Sequence, residues 1–187
     1  GGNMISDETA YRRYLDGEQK AADLLVEKYG DALTLYINGY LKDMHEAEDL
    51  MIEAFSQLFA MVHPIEDEGS LKAYLYKTAR NLALRHKQKH RLRFLRFDEL
   101  TFEPKSDTLA DTELLRSGRD RQLYAAMEKL KAEYREALYL VYFENMSYRD
   151  AAAVMAQTEK QISNLVYRGK QSLKTILEQE GFTYADE

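Results

Sequence analysis

Two clusters could do chemistry. Glu46, Glu48, Asp49 and Glu53 crowd one short stretch. Paired carboxylates serve general acid–base catalysis when their surroundings push their pKa values apart, but on a short amphipathic helix they equally form a solvated or partner-facing stripe. His86 and His90 stand four apart, a spacing that sets two imidazoles on one helix face and can hold a metal. No third ligand stands near them in the sequence and cations surround them; protonated, they would simply add to the attraction for phosphate. Ser, His and Asp all occur, yet without a nucleophile elbow, a phosphate-cradling glycine loop or a dinucleotide fingerprint. The chain has no Cys, so thiolate chemistry and disulfides are excluded, as suits a cytoplasmic protein. The expectation is therefore not an enzyme: no catalytic residue, no cofactor and no metal.

What the sequence offers instead is sorted charge. The formal net charge is -6, but residues 43–68 hold no Lys or Arg, whereas residues 71–97 hold no Asp or Glu and nine cations: Lys72, Lys77, Arg80, Arg85, Lys87, Lys89, Arg91, Arg93 and Arg96. An acidic chain thus carries a basic arm, a footprint for a polyanion as well as for a solvated helix face. Tyr74, Tyr76, Phe94 and Phe97 lie among the cations; exposed there, aromatic rings would stack on unpaired bases, and turned inward they would be core.

These groups need elements to hold them, and the composition favours helices. Only two Pro and nine Gly occur among 187 residues, 45% of the chain is apolar and 31% charged, and no sustained period of two appears. Charge interrupts every apolar run, so no segment reads as a membrane span. The first twenty residues hold no apolar run that would act as a signal sequence, and Gly1 to Asn3 ahead of Met4 read as a cloning remnant. The fold class expected is all-α.

Helical spacing is clearest where Met51, Ala54, Phe55, Leu58, Phe59 and Val62 share one stripe, opposite Asp49, Glu53 and Ser56. Leu71, Tyr74, Leu75, Ala79 and Leu82 form a second stripe, with most of the cations off it. Pro64 is expected to stop the first of these helices and Ser70 to cap the second. Residues 98–119 lose the period and mix Pro104, Ser106, Ser117 and Gly118 with acids, which reads as a linker. The chain accordingly divides into units at 8–97 and 120–180.

In the second unit, NMSYRDAAAVMAQTEKQISNLVYRGKQSLKTIL carries two helix-start signals, Ser147 with Asp150 and Thr158 with Gln161. They predict a short helix, a turn and a longer helix, with Ala151, Ala152, Val154 and Met155 packing on Ile162, Leu165 and Val166. Such a helix-turn-helix would show DNA the remaining residues of its second helix: Lys160, Gln161, Ser163, Asn164, Tyr167, Arg168 and Lys170. A plain hairpin with a polar face has the same spacing. The glycine common in such turns is absent, and Gln157 is expected at its place.

Beyond these patterns, LKAEYREALYLVYFENMSYRDAAAVMAQTEKQISNLVYRGKQSLK resembles region four of bacterial sigma factors, and HEAEDLMIEAFSQLFAM followed by LKAYLYKTARNLALRHKQKHR resembles region two. Both blocks stand in the family order with only the acidic linker between them, which is similar to the compact extracytoplasmic-function class. The resemblance implies a sigma factor that binds bacterial core RNA polymerase and directs promoter-specific initiation, including help with promoter opening. It implies that Glu48, Asp49 and Glu53, with Ile52 where relatives usually carry Gln, meet a coiled coil of the polymerase largest subunit. It places Tyr74, Lys77, Arg80, Asn81, Arg85 and Lys87 on the near-start promoter element and the opened non-template strand, with residues 65–70 as the loop before them. The second helix of the hairpin would read the duplex of the farther element. An anti-sigma factor is an implied partner, without direct membrane insertion of this chain. Lys131 stands where region four commonly starts with Pro, and Ser163 and Leu165 stand where many relatives are basic. Fewer cations release fewer counterions, about 0.9 in salt slope per phosphate contact, so isolated region four is expected to bind DNA weakly. A dimeric helix-turn-helix regulator and a sigma-like paralogue that only binds partners are the alternatives.

Overall fold

The computed structural model describes residues 5–65, 67–96 and 118–181, with side chains left out of the description at 92–96 and 118–120. All described secondary structure is helical, and the chain divides into two compact units, Gly1–Asp107 and Thr108–Glu187.

The first unit holds α1 (Asp7–Leu15), α2 (Gln19–Leu41), α3 (Met44–Ala60) and α4 (Ser70–Arg96). Ser6 starts α1 by accepting from the Thr9 N–H at 3.1 Å, and Asp43 starts α3 by accepting from His45 and Glu46. Between α2 and α3 only Lys42 and Asp43 intervene. Lys42 closes α2 in the left-handed region at φ 56, its N–H returning to the Asn38 carbonyl at 2.9 Å. Leu25, Leu33 and Ile37 of α2, Ala54, Phe55 and Leu58 of α3, and Leu71, Leu75 and Ala79 of α4 form the core, each large side chain contributing roughly 1.5–3 kcal/mol by leaving water.

The end of α3 differs from expectation. The helix stops at Ala60, well before Pro64, and Val62 lies 77% exposed beyond it rather than on the apolar stripe. Two α1 tyrosines hold this end. The buried Tyr11 hydroxyl donates to the Met61 carbonyl at 2.6 Å and to that of Leu58 at 3.2 Å, and Tyr14 donates to Phe59 at 3.1 Å. They satisfy carbonyls that a helix C-terminus leaves without intrahelical partners. Ser70 is the first residue of α4 rather than its cap; it follows Gly69 at φ 84, whose carbonyl accepts from Ala73.

The second unit holds α5 (Gly118–Glu128), α6 (Ala132–Leu138), α7 (Tyr148–Met155) and α8 (Glu159–Gln179). Residues 98–117 of the expected linker lie outside the described residues, and α5 takes up its last two positions. Past Leu138, α6 widens into a π turn, Tyr139–Phe143, closed by the Glu144 N–H on the Tyr139 carbonyl at 3.0 Å. Asn145, which tolerates the left-handed region, follows at φ 54. Gly169 lets α8 approach α6 closely: a Cβ there would stand 3.1 Å from Leu138 Cδ1 and 3.3 Å from Tyr134 Cβ.

Candidate functional site

On α3 the buried residues Ala47, Leu50, Ala54, Phe55 and Leu58 leave Glu48, Asp49, Ile52, Glu53 and Ser56 exposed on the other side. Ile52 is 58% exposed in the middle of this acidic stripe. An apolar side chain ringed by carboxylates is suited to a partner that is basic at its rim and apolar at its centre.

On α4 the candidate nucleic-acid contacts divide by depth. Lys77, Asn81, Arg85 and Lys87 are exposed, whereas Tyr74 and Arg80 are half-buried. Arg80 donates from Nε to the Tyr40 hydroxyl of α2 at 3.1 Å, so its guanidinium is oriented by the fold before any ligand arrives. Of the two alternatives for the aromatic rings, Tyr76 takes the inward one: it is completely buried, 5.1 Å from the Tyr36 ring. It lies on the inner face between Leu75 and Ala79, whereas Tyr74, the other aromatic of the set with a described side chain, is partly open to solvent. The Phe94 side chain and all of Phe97 lie outside the described residues.

In the hairpin, Ser147 accepts from the Asp150 N–H at 3.1 Å. Thr158 and Gln161 form a full capping box, with bonds of 3.1 and 2.8 Å. Ala151, Ala152, Val154 and Met155 are buried with Ile162 and Val166, and Leu165 is half-buried. The turn differs from expectation. Its left-handed residue is Ala156 at φ 54, and Gln157 merely returns its N–H to the Ala152 carbonyl at 3.0 Å. Glycine would be favoured at 156, one position earlier than the sequence suggests.

Lys160, Gln161, Ser163, Asn164, Tyr167, Arg168 and Lys170 are all exposed along α8. They are not equally free to reach a ligand. The Gln161 amide oxygen is engaged by the cap, and the Lys170 ammonium sits 4.5 Å from the centre of the Tyr142 ring. Its hydrogen bond with Tyr142 raises the Lys170 pKa. Lys160, Ser163, Asn164, Tyr167 and Arg168 thus make the open face, with Tyr167 67% exposed.

One juxtaposition is not legible from local spacing. Glu46, in the first turn of α3, reaches His86 on α4, with Oε2 3.1 Å from Nε2, and His90 lies beside them. Glu46 joins the histidine pair from another helix, a neighbour in space only.

Comparison with known families fixes what these surfaces belong to. The profile described as Sigma-70 region 2 matches residues 25–93, and Sigma-70 region 4 matches residues 120–173. The chain is 27% identical over 157 residues to the ECF RNA polymerase sigma factor SigM of Bacillus subtilis, covering 82% of this chain and 93% of that protein. The chain belongs to the extracytoplasmic-function sigma factors. The RNA polymerase sigma-H factor of Pseudomonas aeruginosa is a further relative, 25% identical over 181 residues, 92% of this chain and 94% of its own. The fold is that of the sigma factor RpoE from Bartonella quintana, solved in complex with the anti-sigma factor NepR: TM-score 0.69 at 23% identity, over 83% of this chain and 96% of that one. This sigma factor directs transcription initiation, with α3 and α4 in its region 2 and α7 and α8 in its region 4. No described helix is long and apolar enough to cross a membrane.

Proposed function

We propose that this sigma factor works in the cytoplasm, catalyses nothing itself, and brings three surfaces to the initiation complex. Glu48, Asp49, Ile52 and Glu53 of α3 dock on core RNA polymerase. Tyr74, Lys77, Arg80, Asn81, Arg85 and Lys87 of α4 engage the near-start promoter element and the opened non-template strand. Lys160, Gln161, Ser163, Asn164, Tyr167, Arg168 and Lys170 of α8 face the major groove of the farther element. Residues 8–97 and 120–180 act as region 2 and region 4, with residues 98–119 as the linker. An anti-sigma protein would hold the chain inactive by covering the same surfaces.

The observation that carries this reading is the segregation of charge within one unit. Acidic α3 and basic α4 present ligands of opposite sign from a common core, so polymerase and DNA can be bound together without competing. The Arg80–Tyr40 hydrogen bond supports a role in holding unpaired DNA, because a guanidinium oriented in advance loses less freedom on binding. Flipping a base from the stack costs a few kcal/mol, and a prearranged site helps to meet that cost. Tethering the α8 contacts to the α4 contacts through polymerase raises their effective concentration, which compensates for the few cations on α8.

The test is a paired Arg80→Ala, Asn81→Ala variant, assayed for polymerase binding by co-elution and for promoter opening by permanganate reactivity of unpaired thymines. Opening should fall at least tenfold while polymerase binding is unchanged. Equal loss of both would refute the assignment of α4 to DNA.

A further inference from the structure

We infer that Glu46, His86 and His90 form a binding site for a divalent transition-metal cation, with Zn2+ the best fit, that ties the start of α3 to the basic arm of α4. Each side chain brings one ligand atom, and the three atoms lie within 4.8 Å of one another. His86 and His90 are one helical turn apart on α4, with ring centres 4.4 Å apart, and Glu46 comes from α3. Its backbone is fixed by the Asp43 cap, which accepts from the Glu46 N–H at 3.3 Å, so its side chain starts from a settled position.

The ligand set suits zinc. Two imidazole nitrogens and one carboxylate oxygen, with a water in the fourth position, is an established zinc arrangement, whereas Mg2+ and Ca2+ prefer sites built from oxygen. Bonds of about 2.0–2.1 Å place tetrahedral ligand atoms roughly 3.3 Å apart. The Glu46–His86 pair, at 3.1 Å, is already near that spacing. The remaining contraction falls to side chains with room to turn: His90 is exposed, and Glu46 and His86 are half-buried. A metal would replace the Glu46–His86 hydrogen bond with a stronger cross-link between the same helices. Arg85, Lys87, Lys89 and Arg91 on α4 are exposed nearby in sequence and oppose a further cation. Glu46 offsets part of that repulsion, as do Glu48 and Asp49 on the same helix.

None of the three ligands belongs to the polymerase-binding stripe, so the site stands or falls independently of the proposed function. Bound metal would brace the α3 start against α4, and metal supply would then set the stiffness of the joint between the two surfaces.

Isothermal titration of the full, metal-stripped chain with ZnCl2, together with metal analysis after dialysis, tests the site. One Zn2+ per chain is expected, with a higher melting temperature in its presence. Changes to groups that merely support a ligand already weaken metal affinity by about 10–100-fold. His86→Ala and His90→Ala should therefore abolish stoichiometric binding, and Glu46→Gln should weaken it by at least that range. A His45→Ala, His63→Ala variant, which removes the chain's other two histidines, should bind as the wild type does. His90 is exposed, so its variant should fold normally, which circular dichroism checks. Absence of stoichiometric binding by the wild type, or binding that survives either His90→Ala or Glu46→Gln unchanged, would overturn the inference.

Discussion

Tyr11 gives the most direct test of how region 2 is held together. Replacing it with Phe removes one oxygen and leaves no cavity, but the Met61 carbonyl loses its 2.6 Å donor and the Leu58 carbonyl loses a 3.2 Å contact. Leu58 keeps a second donor, the Met61 N–H at 3.2 Å, so the loss centres on Met61. An ordinary hydrogen bond contributes about 0.5–1.5 kcal/mol net, and a buried acceptor left unpaired costs about 1–3 kcal/mol. Since Met61 is only half-buried, the lower half of that range applies and Tyr11→Phe should cost about 1.5 kcal/mol. For a unit of this size that is roughly 10 °C in melting temperature. Urea denaturation followed by far-UV circular dichroism measures it, with Tyr14→Phe as a comparison that removes one part-buried bond and should cost about 1 kcal/mol. The residues freed at the α3 end lead into the loop before α4, so promoter opening should fall alongside stability. A Tyr11→Phe protein within about 0.5 kcal/mol of the wild type, the usual range for neutral surface changes, would refute the claim that this hydroxyl secures the end of α3.

Two further predictions concern region 4. Ala156 is exposed and held at φ 54, a region that costs a residue with a Cβ about 1–2 kcal/mol, so Ala156→Gly should stabilise the hairpin by about 1 kcal/mol in urea unfolding. Tyr139 has its pKa raised well above the usual value, chiefly by burial and then by Glu144. Below about pH 10 the phenol is protonated in both folded and unfolded chains; above it the unfolded chain loses this proton while the folded one keeps it, so stability falls as pH rises. Tyr139→Phe should flatten this alkaline decline, and at neutral pH it should cost about 1–3 kcal/mol by depriving the buried Glu144 of a donor. Denaturation curves taken on both sides of pH 10 check both effects.

Much of this architecture is legible in the sequence because its signals are local. The stripe of Ala54, Phe55 and Leu58, the capping pair Thr158 and Gln161, and the small residues Ala151 and Ala152 each act within one or two helical turns, and each appears as read. What escaped the sequence depends on contacts between helices or on backbone geometry. Composition leaves Tyr76, among lysines and arginines, either open or core; packing against Tyr36 of another helix decides for core. The left-handed residue of the turn is set by where α7 ends, and spacing alone misplaced it by one. Glu46 is forty residues from His86, and no local pattern joins them. The Tyr11 clamp on α3 spans a similar distance and has no sequence signature beyond an apolar aromatic on a short helix.

If α3 presents the polymerase-binding surface of this sigma factor, co-elution with bacterial core RNA polymerase on size exclusion depends on its acidic stripe. Asp49 and Glu53 are exposed, so an Asp49→Arg, Glu53→Arg variant should fold as the wild type does and differ only in the sign of that surface. Wild type is expected to co-elute with polymerase and the variant to elute free. A wild-type chain that stays free and elutes as a dimer, or a variant that co-elutes equally well, would rule out that role for α3.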